Sequence, residues 1–170
     1  AMGARLLRQW IQRPLTRLDA IRARHDAVEE LIRNQTVYRG VRESLGAVKD
    51  LERLLSRLHG SSGNPREVQA LSQSLRALPD LKELLGESGA ELLRSLGGDM
   101  KPLPELTDLI DASLVDEPPS NLRDGGVIRE GVHGELDELR NASTEGKDWL
   151  AKFQVDEQKR TGIKSLKIRH

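Results

Sequence analysis

Residues able to do chemistry are few in this sequence, and they are scattered. Four histidines, His25, His59, His133 and His170, lie too far apart in the chain to show a paired metal-ligand spacing, and there is no cysteine to complete a thiolate site or a disulfide. Gly126 and Gly131 are spaced like the glycines of a phosphate-binding loop, but Val132 and His133 follow where a lysine and a hydroxyl residue are needed. Without that lysine nothing reaches a bound phosphate. Paired carboxylates occur at Asp137 and Glu138 and at Asp156 and Glu157. They stand among basic residues on one long helical pattern, and the sequence assigns them to a solvated face and not to acid–base work. No Gly-x-Ser-x-Gly elbow and no strand–glycine loop–helix unit for a dinucleotide occurs. The chain therefore offers no catalytic residue, no metal ligand and no cofactor site, and reads as not an enzyme in itself.

Charge supplies the remaining candidates. Lysine plus arginine and aspartate plus glutamate each number 27, so the 170 residues sum to zero and lack the basic footprint of a self-sufficient nucleic-acid binder. The distribution is uneven. Residues 1–33 carry seven arginines against four acids (+3), whereas 101–131 carry seven acids against three basic residues (−4). The C-terminal ten residues hold Lys164, Lys167 and Arg169 without an acid, followed by His170. Alternate basic side chains on a short strand suit contact with a nucleic-acid phosphate backbone. The same three charges also serve simply to keep a strand's outer face wet, and charge alone leaves both readings open. Trp10, Tyr38, Trp149 and Phe153 are the only aromatic residues, which excludes a base-stacking platform. No apolar run approaches the ~20 residues needed to span a bilayer, and the absence of cysteine fits a reducing compartment.

The elements that must position these residues are helical almost throughout. Leu6, Leu7, Trp10 and Ile11 mark a helix over 4–12 that stops before Pro14. Thr16 and Asp19 resemble a capping box opening a second helix that runs to about residue 34. Val41, Leu45 and Val48 suggest a weaker segment interrupted near Gly40 and Gly46, and Leu51, Leu54, Leu55 and Leu58 a strong one. Residues 60–63 are a loop, after which Asn64 and Pro65 supply an N-cap and a first helical residue. Helical patterns resume over 80–96 and 103–114, separated by Gly97-Gly98 and by Pro102 and Pro104. Pro118-Pro119 and four glycines make 115–134 an irregular crossing with an extended Val127-Ile128 stretch. A final helix spans 135–160, about 40 Å at 1.5 Å per residue. Ile163, Leu166 and Ile168 then alternate with basic residues as a short strand. The fold class is all-α: a helical bundle with a long C-terminal helix and a short terminal β-strand.

Several segments, taken in order, resemble the core (lever) region of the MutS family of DNA mismatch repair proteins. They are Ala1 to Trp10 with Pro14-Leu15, Asp26 to Leu31, Asp50 to Leu58, Asn64 to Glu67 and Leu78 to Leu81. The most specific are Asp116-Glu117-Pro118-Pro119, Arg123 to Gly131 and Glu135 to Arg140, followed by Gly146 to Leu150 and Arg160 to Ile168. His133 departs from the family, which tends to place a Tyr-Asn or Tyr-Asp pair there.

The resemblance implies that these residues are a piece of a longer bacterial, cytoplasmic protein, with 1–160 the first part of its core and 161–170 the start of its clamp. In that family an N-terminal domain reads the mismatch with a Phe-x-Glu motif and a C-terminal domain hydrolyses ATP with Mg. Neither motif is present here. The implied role is to link ATPase and clamp and to transmit an ATP-dependent change. The implied partners are the backbone of double-stranded DNA, a second MutS subunit and a MutL-like protein, with no membrane. The implied DNA-backbone contacts are Lys164, Lys167, Arg169 and His170. The competing reading is a self-contained all-α protein-interaction module with no DNA role.

Overall fold

The computed structural model describes residues 2–60 and 63–167, which contain nine α-helices and one 3₁₀ turn. The chain divides into two compact units, residues 1–127 and 128–170. The all-α class expected from the sequence is what forms.

In the first unit the helices are α1 (Met2–Gln12), α2 (Leu18–Arg33), α3 (Gln35–Ala47), α4 (Leu51–His59), α5 (Pro65–Arg76), α6 (Leu78–Gly86), α7 (Glu91–Asp99) and α8 (Pro104–Ser113). With so few aromatics, leucine and alanine make the core. Ala27 of α2, Leu81 and Leu85 of α6, Ala90 at the N-cap of α7 and Leu93 within it bury one another, with Leu31, Val41, Leu92 and Met100 packed around them. Each fully buried leucine contributes roughly 1.5–3 kcal/mol by leaving water. Small residues set the helix spacing. A Cβ on Gly97 of α7 would lie 3.0 Å from Leu85 Cβ and 3.1 Å from the Lys82 carbonyl oxygen, so α7 approaches α6 as closely as a glycine permits.

A second seam, between α5 and α8, is polar. Ser72 and Ser74 of α5 are completely buried. Ser72 Oγ donates to Asp111 Oδ1 (2.7 Å) and Ser74 Oγ to the Ala70 carbonyl (2.6 Å), while Ser74 Oγ accepts from the Lys49 N–H (3.0 Å). Buried hydroxyls without such partners would cost free energy, and here each is satisfied. Arg76 clamps the same seam from outside, on Asp111 (2.6 Å) and Asp108 (2.8 Å).

Several sequence expectations change in the structure. Thr16 does not cap α2: Arg17 is its N-cap without a side-chain cap bond, and it pairs with Asp19 instead. The ion pair takes the carboxylate that a capping box would have used. Asn34 ends α2 and caps α3, accepting from Val37 N–H (3.2 Å). The α3 helix is continuous through Gly40 and Gly46, because Gly40 is where Leu84 of α6 packs, 2.9 Å from a notional Cβ. Conversely, the pattern over 80–96 is two helices. The turn between them is held from outside the helix ladder, by Glu30 Oε1 on the Gly89 N–H (3.1 Å) and by Arg94 on the carbonyls of Ser88 (2.8 Å) and Gly89 (2.9 Å). Gly97-Gly98 lies inside α7 and does not break it. The expected Asn64 N-cap and Pro65 first position are present, and Glu67 completes a reciprocal capping box. The expected extended stretch near Val127 also forms, with the Val115 N–H donating to the Val127 carbonyl (3.1 Å).

The α1 helix has no buried residue. It is held by charge: Arg5 forks onto both oxygens of Asp50 (2.6 and 2.8 Å) and onto Glu52 (2.8 Å), and Arg24 of α2 lies 3.7 Å over the Trp10 ring. Such a guanidinium–indole contact contributes about 0.5–1 kcal/mol at an exposed site.

The second unit is one long helix and its ends. The α9 helix, Gly134–Thr161, has 28 residues and none buried. At 1.5 Å per residue it is a rod of about 42 Å. Trp149 and Phe153, one turn apart, stack with ring centroids at 5.2 Å and planes 5° apart.

Candidate nucleic-acid interface

The basic C-terminal segment begins where α9 stops. Gly162 adopts the left-handed conformation (φ 73°) and returns its N–H to the Gln158 carbonyl (2.9 Å), a C-cap that suits glycine because a Cβ is disfavoured there. Thr161 Oγ1 donates to the Glu157 carbonyl (2.6 Å), tightening the last turn. Arg160 forks onto Glu157 (2.7–3.0 Å), and this guanidinium holds the Glu157 carboxyl below its ordinary pKa.

Beyond Gly162 the described residues do not form the expected strand. The Leu166 N–H returns to the Ile163 carbonyl (3.2 Å), which makes 163–166 a turn, and the Gln158 side-chain amide donates to the Leu166 carbonyl (2.8 Å). The physical reason is pairing. A strand needs a neighbour to take its backbone groups, and none of the described residues of this unit supplies one. The segment instead folds against its own helix. Ile168, Arg169 and His170, the rest of the expected strand and two of the four candidate contact residues, lie outside the described residues.

Lys164 and Lys167 are both exposed. Among the described residues neither forms an ion pair. Two ammonium groups on solvent, within one turn of each other, suit monodentate contacts to phosphate oxygens.

At the other end of α9, the glycine-rich stretch that imitates a phosphate loop has its donors engaged internally. Gly125, Gly126 and Gly131 take positive φ (69°, 67° and 85°), the geometry that glycine admits without strain. The Gly131 N–H donates to Asp137 Oδ2 (2.7 Å). Arg140 bridges Asp137 Oδ1 (3.2 Å) and the Ile128 carbonyl (2.8 Å). The imidazole Nδ1 of His133 accepts from the Leu136 N–H (3.4 Å) as the α9 N-cap. Asp137 is thus a loop anchor, which corrects its reading as one of a solvated pair. The visible signal was the Asp137/Arg140 spacing of three directly after a glycine turn. Among the described residues no group of three or more metal-ligating side chains converges, and no helix is long and apolar enough to cross a membrane.

Comparison with known proteins settles the family. The model of MutS domain III matches residues 1–167. The chain belongs to the MutS domain III family. Its relatives include the DNA mismatch repair protein MutS of Lachnoclostridium phytofermentans, 44% identical over 170 residues, which are all of this chain and 18% of that protein. The proteins of the same name from Halothermothrix orenii and Symbiobacterium thermophilum are 45% and 46% identical over 168 residues, 99% of this chain and 19% of each relative. This MutS domain III chain therefore spans about a fifth of the length of the curated relatives it matches.

Proposed function

We propose that this chain is the first part of the core of a DNA mismatch repair protein, and that α9 transmits a nucleotide-dependent change to a clamp on DNA. The match of residues 1–167 to MutS domain III carries this reading. The form of α9 supports it: a 28-residue helix capped at both ends, with no buried residue, is built to reach and not to fill a core. In this reading residues 1–160 are core and 161–170 begin the clamp. Lys164 and Lys167, with Arg169 and His170 beyond them, meet the DNA backbone. ATP and Mg act in another domain of the longer, cytoplasmic protein, and a second subunit and a MutL-like protein are its partners. The chain itself contributes no catalytic group. Coupling of this kind requires one element whose two states are biased at both ends.

Gly146 stands mid-way along α9 with open space around it. Replacing it by proline in the longer protein removes a helical hydrogen bond and clashes with the carbonyl four residues back, a cost of about 3 kcal/mol or more and a kink. Circular dichroism establishes that the variant is folded. The expected result is near-normal ATP affinity with abnormal ATP-triggered release from end-blocked mismatched DNA. Wild-type release kinetics in a folded Gly146→Pro protein would make α9 a passive strut and overturn the transmitter role.

A further inference from the structure

The basic residues of the first unit are not spread evenly. Lys49, Arg53 and Arg57, spaced by four, run beside and along α4, and with Arg66 of α5 they line one open cleft of about 580 Å³. Arg53 and Arg57 are one turn apart on α4, about 6 Å along its axis, and Lys49 stands just ahead of the Asp50 N-cap on the same cleft. Two carboxylates face the same cleft, Asp50 and Glu67. Both are engaged: Asp50 by the Arg5 fork, and Glu67 by Arg57 (2.6 Å), with its N–H and second oxygen in the capping box. Arg66 is oriented by donating Nε to the Pro118 carbonyl (2.8 Å). Lys49 Nζ and the Arg53 guanidinium have no hydrogen-bonded or ion-paired partner among the described residues. Four cations against two occupied carboxylates leave a surplus of two positive charges on this wall.

We propose that this α4–α5 cleft is a second binding site for the phosphate backbone of duplex DNA, separate from the Lys164/Lys167 end. The choice of duplex DNA as occupant rests on the function proposed above; the cleft itself does not. A single free phosphate is a poor match. The cations come from the segment before α4, from two successive turns of α4 and from α5, a spread along the cleft that suits a polymeric anion. Guanidinium forks suit phosphate oxygens. No aromatic residue lines the cleft, so bases are not stacked or read and the contact is independent of sequence.

The test uses the 170-residue chain, a fluorescein-labelled matched duplex, and anisotropy across a salt series. Lys49→Gln with Arg53→Gln removes two cations that hold no hydrogen bond among the described residues, and Asp50 keeps its Arg5 fork; thermal melting verifies that the fold persists. The expected result is weaker binding at low salt and a fall of about 2 in the slope of log K against log salt, one unit per lost phosphate contact. Lys49→Arg with Arg53→Lys should keep the affinity. An unchanged slope in the Gln pair, with loss in Lys164→Gln/Lys167→Gln, overturns the cleft and leaves the C-terminal contact standing. The reverse pattern supports the cleft and removes that contact. No duplex binding by the wild type at low salt overturns both. Resonances of Lys49 and Arg53 that respond equally to inorganic phosphate or to a polyglutamate peptide would replace the DNA assignment by a general anion site.

Discussion

Two adjacent glycines in α7 should respond to the same substitution with opposite signs. In a helix interior, glycine to alanine gains about 0.5–1 kcal/mol, because alanine loses less backbone entropy on folding. At Gly98 nothing lies within 4 Å of the added Cβ, so Gly98→Ala should keep much of that gain. At Gly97 the Cβ meets Leu85 Cβ at 3.0 Å and the Lys82 carbonyl oxygen at 3.1 Å. Neither atom is the free end of a flexible side chain, so α6 and α7 must separate by a few tenths of an ångström within the core that Leu85 and Leu93 share. Overpacking of this kind costs about 1–3 kcal/mol. Subtracting the propensity gain leaves Gly97→Ala destabilised by up to about 2.5 kcal/mol, or a melting temperature lower by up to roughly 10 °C at this chain length. Thermal denaturation followed at 222 nm measures both variants on one scale. A Gly97→Ala protein that melts at or above the wild type would show that α6 and α7 are not in the contact described.

Asn64→Ala removes the side-chain half of the α5 capping box and should cost about 0.5–2 kcal/mol, read as a lower urea midpoint at unchanged slope. The Arg5 guanidinium holds the Asp50 carboxyl down at about 2, so the folded state binds that proton more weakly than the unfolded chain. The pair's contribution to stability is complete above the ordinary carboxylate value of about 3.9 and disappears as pH falls through about 2. Carbon-13 titration of the Asp50 carboxyl should therefore show a midpoint near 2 that rises toward the ordinary range in Arg5→Gln; an identical midpoint in both proteins would remove the Arg5 tether.

What was legible in the sequence was local. The position and kind of most helices follow from apolar spacing of three and four, and the Asn64-Pro65 start of α5 from the two residues themselves. The extent of α9 was legible to within a residue at each end, 135–160 against Gly134–Thr161. The glycines were harder, because a glycine that breaks a helix and one that admits a neighbouring helix look alike in one dimension. Gly40 and Gly97 are of the second kind, and only Leu84, Leu85 and the Lys82 carbonyl reveal it. The site shows the same division. That Lys164 and Lys167 are basic and unaccompanied by acids is written in the chain, but their conformation is not. A two-residue alternation licenses a strand only if another strand is present to pair with its N–H and carbonyl groups; here the Leu166 N–H turns back to the Ile163 carbonyl and the Gln158 amide donates to the Leu166 carbonyl.

Composition and periodicity by themselves determined the all-α class and the leucine-based core, because those depend on residue type and on spacing within one helix. Tertiary structure alone decided which charges are spent and which remain available. Arg5, Arg57 and Arg66 have the same side chain as Arg53, but partners from other helices and loops engage them, Asp50, Glu67 and the Pro118 carbonyl. The energy of a charge depends on what stands within a few ångströms of it, and residues 45 or 52 positions apart become neighbours only when the helices pack.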